Sequence, residues 1–258
     1  MELMLTRSSV EGCLYNFLGY GNLNGNYWFI GTEEGGAEIW REGIQKLEVA
    51  ESLDLRRTYK PAMEFREVWE DKYGIPLEEF KGPTVWRYIA AFLLYIEDEI
   101  HIESSREEIR NKVQEYLFVR KRLGTFEGNH FLCELFPLPK KSRNNMDPYS
   151  SIWQNIKLYH EDVLPGRLDL IFKTIELNKG VRNLITYEQV VWDRLSTHFP
   201  IGFQKTFRLK SGRSWELSTL LIENERRLCL VRTPFFGQGR ISFSDLGEIA
   251  KDIKVFGT

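Results

Sequence analysis

Three cysteines in 258 residues, Cys13, Cys133 and Cys229, are too few and too scattered to staple a fold or to bind a metal at recognisable spacing. They read as small core residues of a reducing compartment. Histidine is equally sparse. Of the four in the chain, His130 opens a strand-like run and the others read as surface positions, with no spacing that compels a ligand pair. No apolar run approaches the roughly 20 residues of a membrane span. Residues 1–7 lack the basic start and apolar core of a secretory signal. A cytoplasmic protein with no membrane partner is expected. The net charge of −2 removes any global electrostatic case for nucleic-acid binding. Internal repeats and low-complexity tracts are absent too, which excludes solenoids and disordered arrays.

What remains is an ordinary globular composition, 42% hydrophobic and 28% charged, of a length that suits one domain over 1–258. Aromatic residues are plentiful at 14%, with seven Trp, so rings are left over for stacking on a ligand. Positive charge is grouped locally, at Arg120-Lys121-Arg122, at Lys140-Lys141-Ser142-Arg143 and across 205–213. A local basic rim on a near-neutral protein fits an enzyme that must release nucleic acid, and equally a solvated surface.

The most informative stretch is Tyr27-Trp28-Phe29-Ile30-Gly31-Thr32-Glu33-Glu34-Gly35-Gly36. Four large residues read as a strand buried on both faces, of the kind found in parallel sheets. The strand breaks at a glycine, then presents paired carboxylates and two more glycines. Ligands of open α/β sheets sit beyond the carboxyl ends of strands, and glycines there let the backbone approach them closely. A carboxylate at such an end can activate water; the plain alternative is an acidic turn.

Further along, helices are expected from Ser8, over 37–53, 62–73, 84–96, 104–117, 148–158, 166–177 and 190–195, and over 246–253 behind a Ser244-Asp245 cap. The stretch 19–25 reads as a turn-rich stop. Buried strands are expected at 130–136, 183–187 and 228–231, and a hairpin at 203–209 and 214–222. Strands alternating with helices predict an α/β fold whose mostly parallel sheet is covered on both faces. Three strand ends then carry unusual chemistry: Gly31-Thr32-Glu33-Glu34, Glu134-Leu135-Phe136-Pro137 and Arg232-Thr233-Pro234-Phe235.

In this order, the three ends resemble the uracil-DNA glycosylase superfamily. Its members place a water-activating, Gly-x-x-Pro-like loop after the first core strand, similar to Phe29 through Gly36 here. An Asn-bearing strand leads into a Pro-bearing loop that contacts the base, similar to Cys133-Glu134-Leu135-Phe136-Pro137-Leu138-Pro139 through Arg143. A His-Pro-Ser-like loop after the last strand pushes into the duplex, similar to Val231-Arg232-Thr233-Pro234-Phe235-Phe236-Gly237. The strand at 183–187 and its helix match those preceding that last loop. Order and spacing agree over most of the chain. Glu34 stands where proline is usual, Glu134 where the base-reading Asn is usual and Thr233 where the His is usual, departures that bear on substrate more than on fold.

The resemblance implies a monomeric three-layer α/β/α sandwich, chemistry using neither metal nor cofactor, and a base turned out of double- or single-stranded DNA. Glu33, with Glu34 close behind, would orient water and stabilise the oxocarbenium-like sugar. Thr32, Glu134, Phe136, Arg232 and Thr233 would contact the base. Lys140, Lys141, Arg143 and Arg240 would meet phosphates, and Phe235 or Phe236 would wedge into the vacated stack. Trp40 or Tyr59 would stack on the base. An ionised Glu134 only accepts hydrogen bonds, so it suits the exocyclic amine of a cytosine-type base and opposes O4 of uracil. The same superfamily includes phage-defence enzymes that excise glucosylated hydroxymethylcytosine and leave abasic sites, a substrate an acceptor at Glu134 fits. The alternatives are excision of uracil or a damaged base, a hydrolase holding Mg or Mn on Glu33, Glu34 and Glu134, and an inactive sandwich that only binds DNA or a protein.

Overall fold

The computed structural model describes residues 5–33, 35–45, 47–59, 61–78, 84–222 and 226–256. After helix α1 (Arg7–Leu14) the chain enters a short strand, β1 (Gly19–Gly21), in the stretch expected to be a turn. The glycines make that strand possible. Gly19 has φ of 155°, and a Cβ there would lie 1.8 Å from the carbonyl oxygen of Leu132 on the neighbouring strand. Only a residue without a side chain can approach so closely.

The remaining elements are β2 (Tyr27–Glu33), α2 (Ala37–Trp40), α3 (Val49–Thr58), β3 (Ala62–Met63), α4 (Thr84–Ile96), α5 (Arg106–Gln114) and β4 (His130–Phe136). They continue with α6 (Ile156–Leu177), β5 (Asn183–Thr186), α7 (Gln189–His198), β6 (Ile201–Arg208), β7 (Ser214–Leu221), β8 (Arg227–Arg232) and α8 (Phe243–Phe256).

All eight described strands form one mixed sheet in the order β3-β1-β4-β2-β5-β8-β7-β6. The central strands β4, β2, β5 and β8 are mutually parallel. β1 runs antiparallel to β4, and β7 and β6 fold back antiparallel beyond β8. Four parallel strands therefore end at the same edge, where residues 31–33, 134–136, 186–188 and 232–233 gather.

Side chains alternate between two cores, as the period of a strand requires. Tyr27 and Phe29 face one cluster with Phe92 of α4 and Ile249 of α8; Trp28 and Ile30 face the other with Val10 of α1, Leu168 of α6 and Val191 of α7. Helices cover both faces, as the near-continuous apolar run of β2 requires.

Three helix expectations are corrected. The segment 37–53 is two short helices, because the chain turns at Gly43 with φ of 78°. Ile44 and Leu47 still reach the core, so the apolar spacing was satisfied by a different backbone. In 62–73 the chain forms β3 and then a π-helical turn, Glu67–Lys72. Of the expected helix 148–158 only a 3-10 turn at Tyr149–Ser151 and the start of α6 at Ile156 are helical, and α6 then runs continuously through Pro165 into the expected 166–177. An interior proline costs about 3 kcal/mol; burial of Tyr159, Val163, Leu168, Ile171 and Ile175 along the same helix offsets it.

Candidate active site

Where the parallel strands end, a cavity of about 410 Å³ opens between the sheet and α4, within the usual range for small-molecule sites. Thr32, Glu33, Glu134, Tyr187 and Glu188 line its sheet side. Aromatic residues Tyr20, Phe29, Phe65, Trp69 and Trp86 line its inner wall, and Lys141, Arg143 and Phe235 its rim.

Glu33 is the last residue of β2 and is held by a lysine and a histidine from different elements. Its Oε1 lies 2.9 Å from Lys140 Nζ and 2.9 Å from His160 Nε2. All three side chains are largely buried, at 9%, 1% and 11% exposure respectively. Lys140 follows the Pro137-Leu138-Pro139 segment and also donates to the carbonyl of Arg143 at 2.8 Å. Burial lowers its pKa against the opposing pull of Glu33. His160 comes from the first turns of α6, with its ring stacked on Phe136 at 3.9 Å and 11°. Beneath the group lies Tyr159, whose pKa burial raises well above the usual range, with the Glu33 charge adding to the shift. Isolated buried ion pairs contribute little net stability. A cluster of such groups on a cavity wall is the common setting of acid–base chemistry.

Glu134 lies in register with Gly31 on the adjacent strand. A Cβ on Gly31 would fall 2.5 Å from Glu134 Oε2 and 2.5 Å from the Tyr187 hydroxyl. The glycine is thus the floor on which a carboxylate and a phenol meet. Tyr187 is clamped by Phe236, stacked at 5.0 Å and 12°. Burial, aided by Glu134 and Glu188, raises its pKa far above the ordinary phenol value, which keeps it a neutral donor. Arg167 of α6 secures the strand end from below, donating to the carbonyls of Glu134 at 2.7 Å and Leu135 at 3.1 Å. Glu188 ties β5 to β2 by accepting the Thr32 backbone N–H at 2.9 Å. Thr32 Oγ1 is buried and has no hydrogen-bond partner among the described residues, which leaves it open to a ligand in the cavity it lines.

Of the residues singled out in the sequence, the structure brings Thr32, Glu33, Glu134, Lys140, Lys141, Arg143 and Phe235 to this cavity. Glu34 lies outside the described residues. Lys140 is a buried partner of Glu33 rather than a solvent-facing cation.

Several expected residues are placed elsewhere. Phe136 is fully buried under His160, and Phe236 under Tyr187. Arg232 projects to the other face of the sheet, over the Trp192 ring of α7 at 5.7 Å, and pairs with Glu216 and Gln189. Alternation along β8 explains this, because Leu230 two residues earlier also faces the α7 side. Thr233 is buried and bonds to backbone, its N–H reaching Thr186 O at 2.9 Å. Arg240 is exposed beyond the cavity lining. Neither Trp40 nor Tyr59 lines the cavity; Trp40 packs over Gly36 and Tyr59 lies under Lys72.

His160, Tyr187, Glu188 and the Phe65–Trp69–Trp86 wall were missed. His160 escaped because the helix was ended at 158, short of it. His130, by contrast, is a core residue: it is fully buried, accepts the Gly124 N–H on Nε2 at 2.8 Å, and burial lowers its pKa to about 3. Among the described residues no three His, Cys, Asp or Glu side chains gather as metal ligands, and no helix is long and apolar enough to cross a membrane. Comparison with protein-family models, curated proteins and solved structures finds no significant match to this chain.

Proposed function

We propose that the protein is a DNA glycosylase that hydrolyses the N-glycosidic bond of a flipped, modified cytosine-type base and leaves an abasic site. The observation that carries this reading is the position of Glu33. Its carboxylate is held by Lys140 and His160 on the wall of a cavity that also receives Glu134 and Tyr187.

In this mechanism the target nucleotide leaves the stack and its base enters the cavity. Glu33 stabilises the positive charge developing on the sugar and orients the attacking water, with His160 fixing the carboxylate's direction. Glu134 accepts a hydrogen bond from the exocyclic amine, and the neutral Tyr187 hydroxyl donates to a base acceptor. The aromatic wall gives a pyrimidine substituent room and apolar faces to lie against. Glucosylated hydroxymethylcytosine of phage DNA is the substrate this arrangement fits best, which gives the enzyme a role in phage defence. The order of the strand-end loops, similar to that of the uracil-DNA glycosylase superfamily, and helices on both faces of the sheet support a three-layer sandwich. A monomer is what the resemblance implies, and a cytoplasmic location what the scattered cysteines imply.

The test is base release from duplexes carrying uracil, cytosine, hydroxymethylcytosine or its glucosylated form, read as alkali-labile breaks. Release of the modified cytosine that disappears in Glu33→Gln is the expected result. Release of uracil alone would overturn the substrate, and release from none of them the whole reading. Cells expressing the protein should resist phages that glucosylate their cytosines and remain sensitive to phages that do not.

A further inference from the structure

The chain's three basic clusters have different fates in the fold. Arg120, Lys121 and Arg122 are neutralised by carboxylates: Arg120 pairs with Glu99 and Glu115, Lys121 with Glu70 and Glu78, and Arg122 with Glu97 and Glu99. Lys140 is spent on Glu33. The third cluster ends in the turn between β6 and β7, and its arginines Arg208 and Arg213, like Arg240 nearby, make no ion pair among the described residues. Lys210 has one partner, Glu248 at 3.0 Å, and is itself 82% exposed.

Topology decides where that turn lies. Glu216 of β7 is in register with Arg232, the last residue of β8, and Ser214 with Arg208 of β6. Residues 209–213 therefore project beyond the carboxyl edge, the edge at which the cavity opens. The tip is closed on itself: Leu209 is buried, its N–H reaches Arg213 O at 2.7 Å, and Gly212 supplies a φ of 83°. Arg213 donates to the carbonyl of Gly239 at 2.5 Å, which joins the tip to the loop carrying Arg240.

We infer that the β6–β7 turn is a phosphate-contacting arm, with Lys210 and Arg240, brought together through the Arg213–Gly239 contact, gripping the backbone of the same nucleic-acid strand whose base occupies the cavity. Arg208 shares the opposite face with Gln204 and Glu216. This rests on the glycosylase reading for the occupant. Lys141 and Arg143, at the cavity rim, follow β4, and β6 lies five strand positions from β4. At about 4.8 Å per strand the basic edge spans about 24 Å, the rise of about seven base pairs. One strand can thus be held on both sides of the extruded nucleotide, with affinity concentrated on phosphates and sequence left unread.

The experiment is fluorescence anisotropy on a short labelled duplex of unmodified sequence, titrated with full-length protein between about 50 and 200 mM salt. Lys210→Gln should make the slope of log affinity on log salt shallower by about 1, and Lys210→Gln with Arg240→Gln by about 2, equally for different sequences. Lys173→Gln, which removes an exposed cation of α6 paired to Asp169, is the control and should leave the slope in place. Thermal midpoints equal to that of the unaltered protein establish that the variants are folded. Slopes unchanged in both variants would overturn the arm, as would absence of salt-dependent binding by the unaltered protein. Base release is measured separately. A reduced slope without any base release supports the arm while removing the glycosylase reading; base release with unreduced slopes does the reverse.

Discussion

Nε2 of His160 lies 2.9 Å from Oε1 of Glu33, although 127 positions separate the two residues in the chain. One stands at the end of a central strand and the other on a helix of the opposite layer. The imidazole is stacked on Phe136, so its direction is set before any substrate arrives.

On the proposed glycosylase reading, loss of a His160 that positions the Glu33 carboxylate should slow base release without loosening DNA. His160→Gln is expected to lower kcat for base release by about 10²-fold, with KM little changed, and Glu33→Gln by at least as much. Single-turnover rates with separately measured DNA affinity check this. A raised KM with intact kcat would make His160 a substrate contact instead.

Gly31→Ala should separate activity from folding. The new methyl would sit 2.5 Å from both Glu134 Oε2 and the Tyr187 hydroxyl. Glu134 is flexible enough to swing aside, whereas Tyr187 is stacked on Phe236. Overpacking of this kind costs about 1 to 3 kcal/mol, so the variant folds with a lowered thermal midpoint, and Glu134 leaves its place opposite the glycine. Loss of base release with retained DNA affinity is the expected outcome; full activity would mean that Glu134 does not act where it stands.

Arg167 is fully buried and donates to the backbone carbonyls of Leu14, Phe17, Glu134 and Leu135. Its pKa is lowered by burial. Arg167→Met fills the volume but leaves buried acceptors without donors, at a cost of about 3 kcal/mol or more. Urea denaturation measures it; a loss under about 1 kcal/mol would show that the carbonyls find other partners.

His130 makes stability depend on pH. Burial holds its folded pKa at about 3, below the unperturbed 6.5. Below 6.5 the unfolded chain takes up a proton that the native state refuses. The contribution is therefore fully present above pH 6.5 and declines as pH falls toward 3. Between pH 7 and pH 5 this amounts to about 2 kcal/mol. His130→Gln, which retains an acceptor for the Gly124 N–H, should lose correspondingly less stability over that interval in urea titrations. Parallel losses in both proteins would place a proton on His130 in the folded state.

Local pattern was sufficient for the strands that matter most. The apolar runs at 27–30, 130–136, 183–187 and 228–231 are all strands of the sheet, because burial on both faces leaves an unbroken hydrophobic signature. The hairpin at 203–222 was equally legible from its glycine turn. Helices were harder wherever the backbone bends between well-spaced apolar positions, as at Gly43, or where long-range packing overrides a breaker, as at Pro165.

By itself the sequence determined that a buried strand ends in a glycine followed by carboxylates, and that two further strand ends bear polar groups beside proline. Only the tertiary structure decided which of those groups meet. Strand alternation sends Glu134 into the cavity and Arg232 away from it. Helix α6 brings His160 across to Glu33, and Lys140 turns inward to join them. Such pairings depend on contacts between residues more than a hundred positions apart, and no local rule of spacing or propensity contains them.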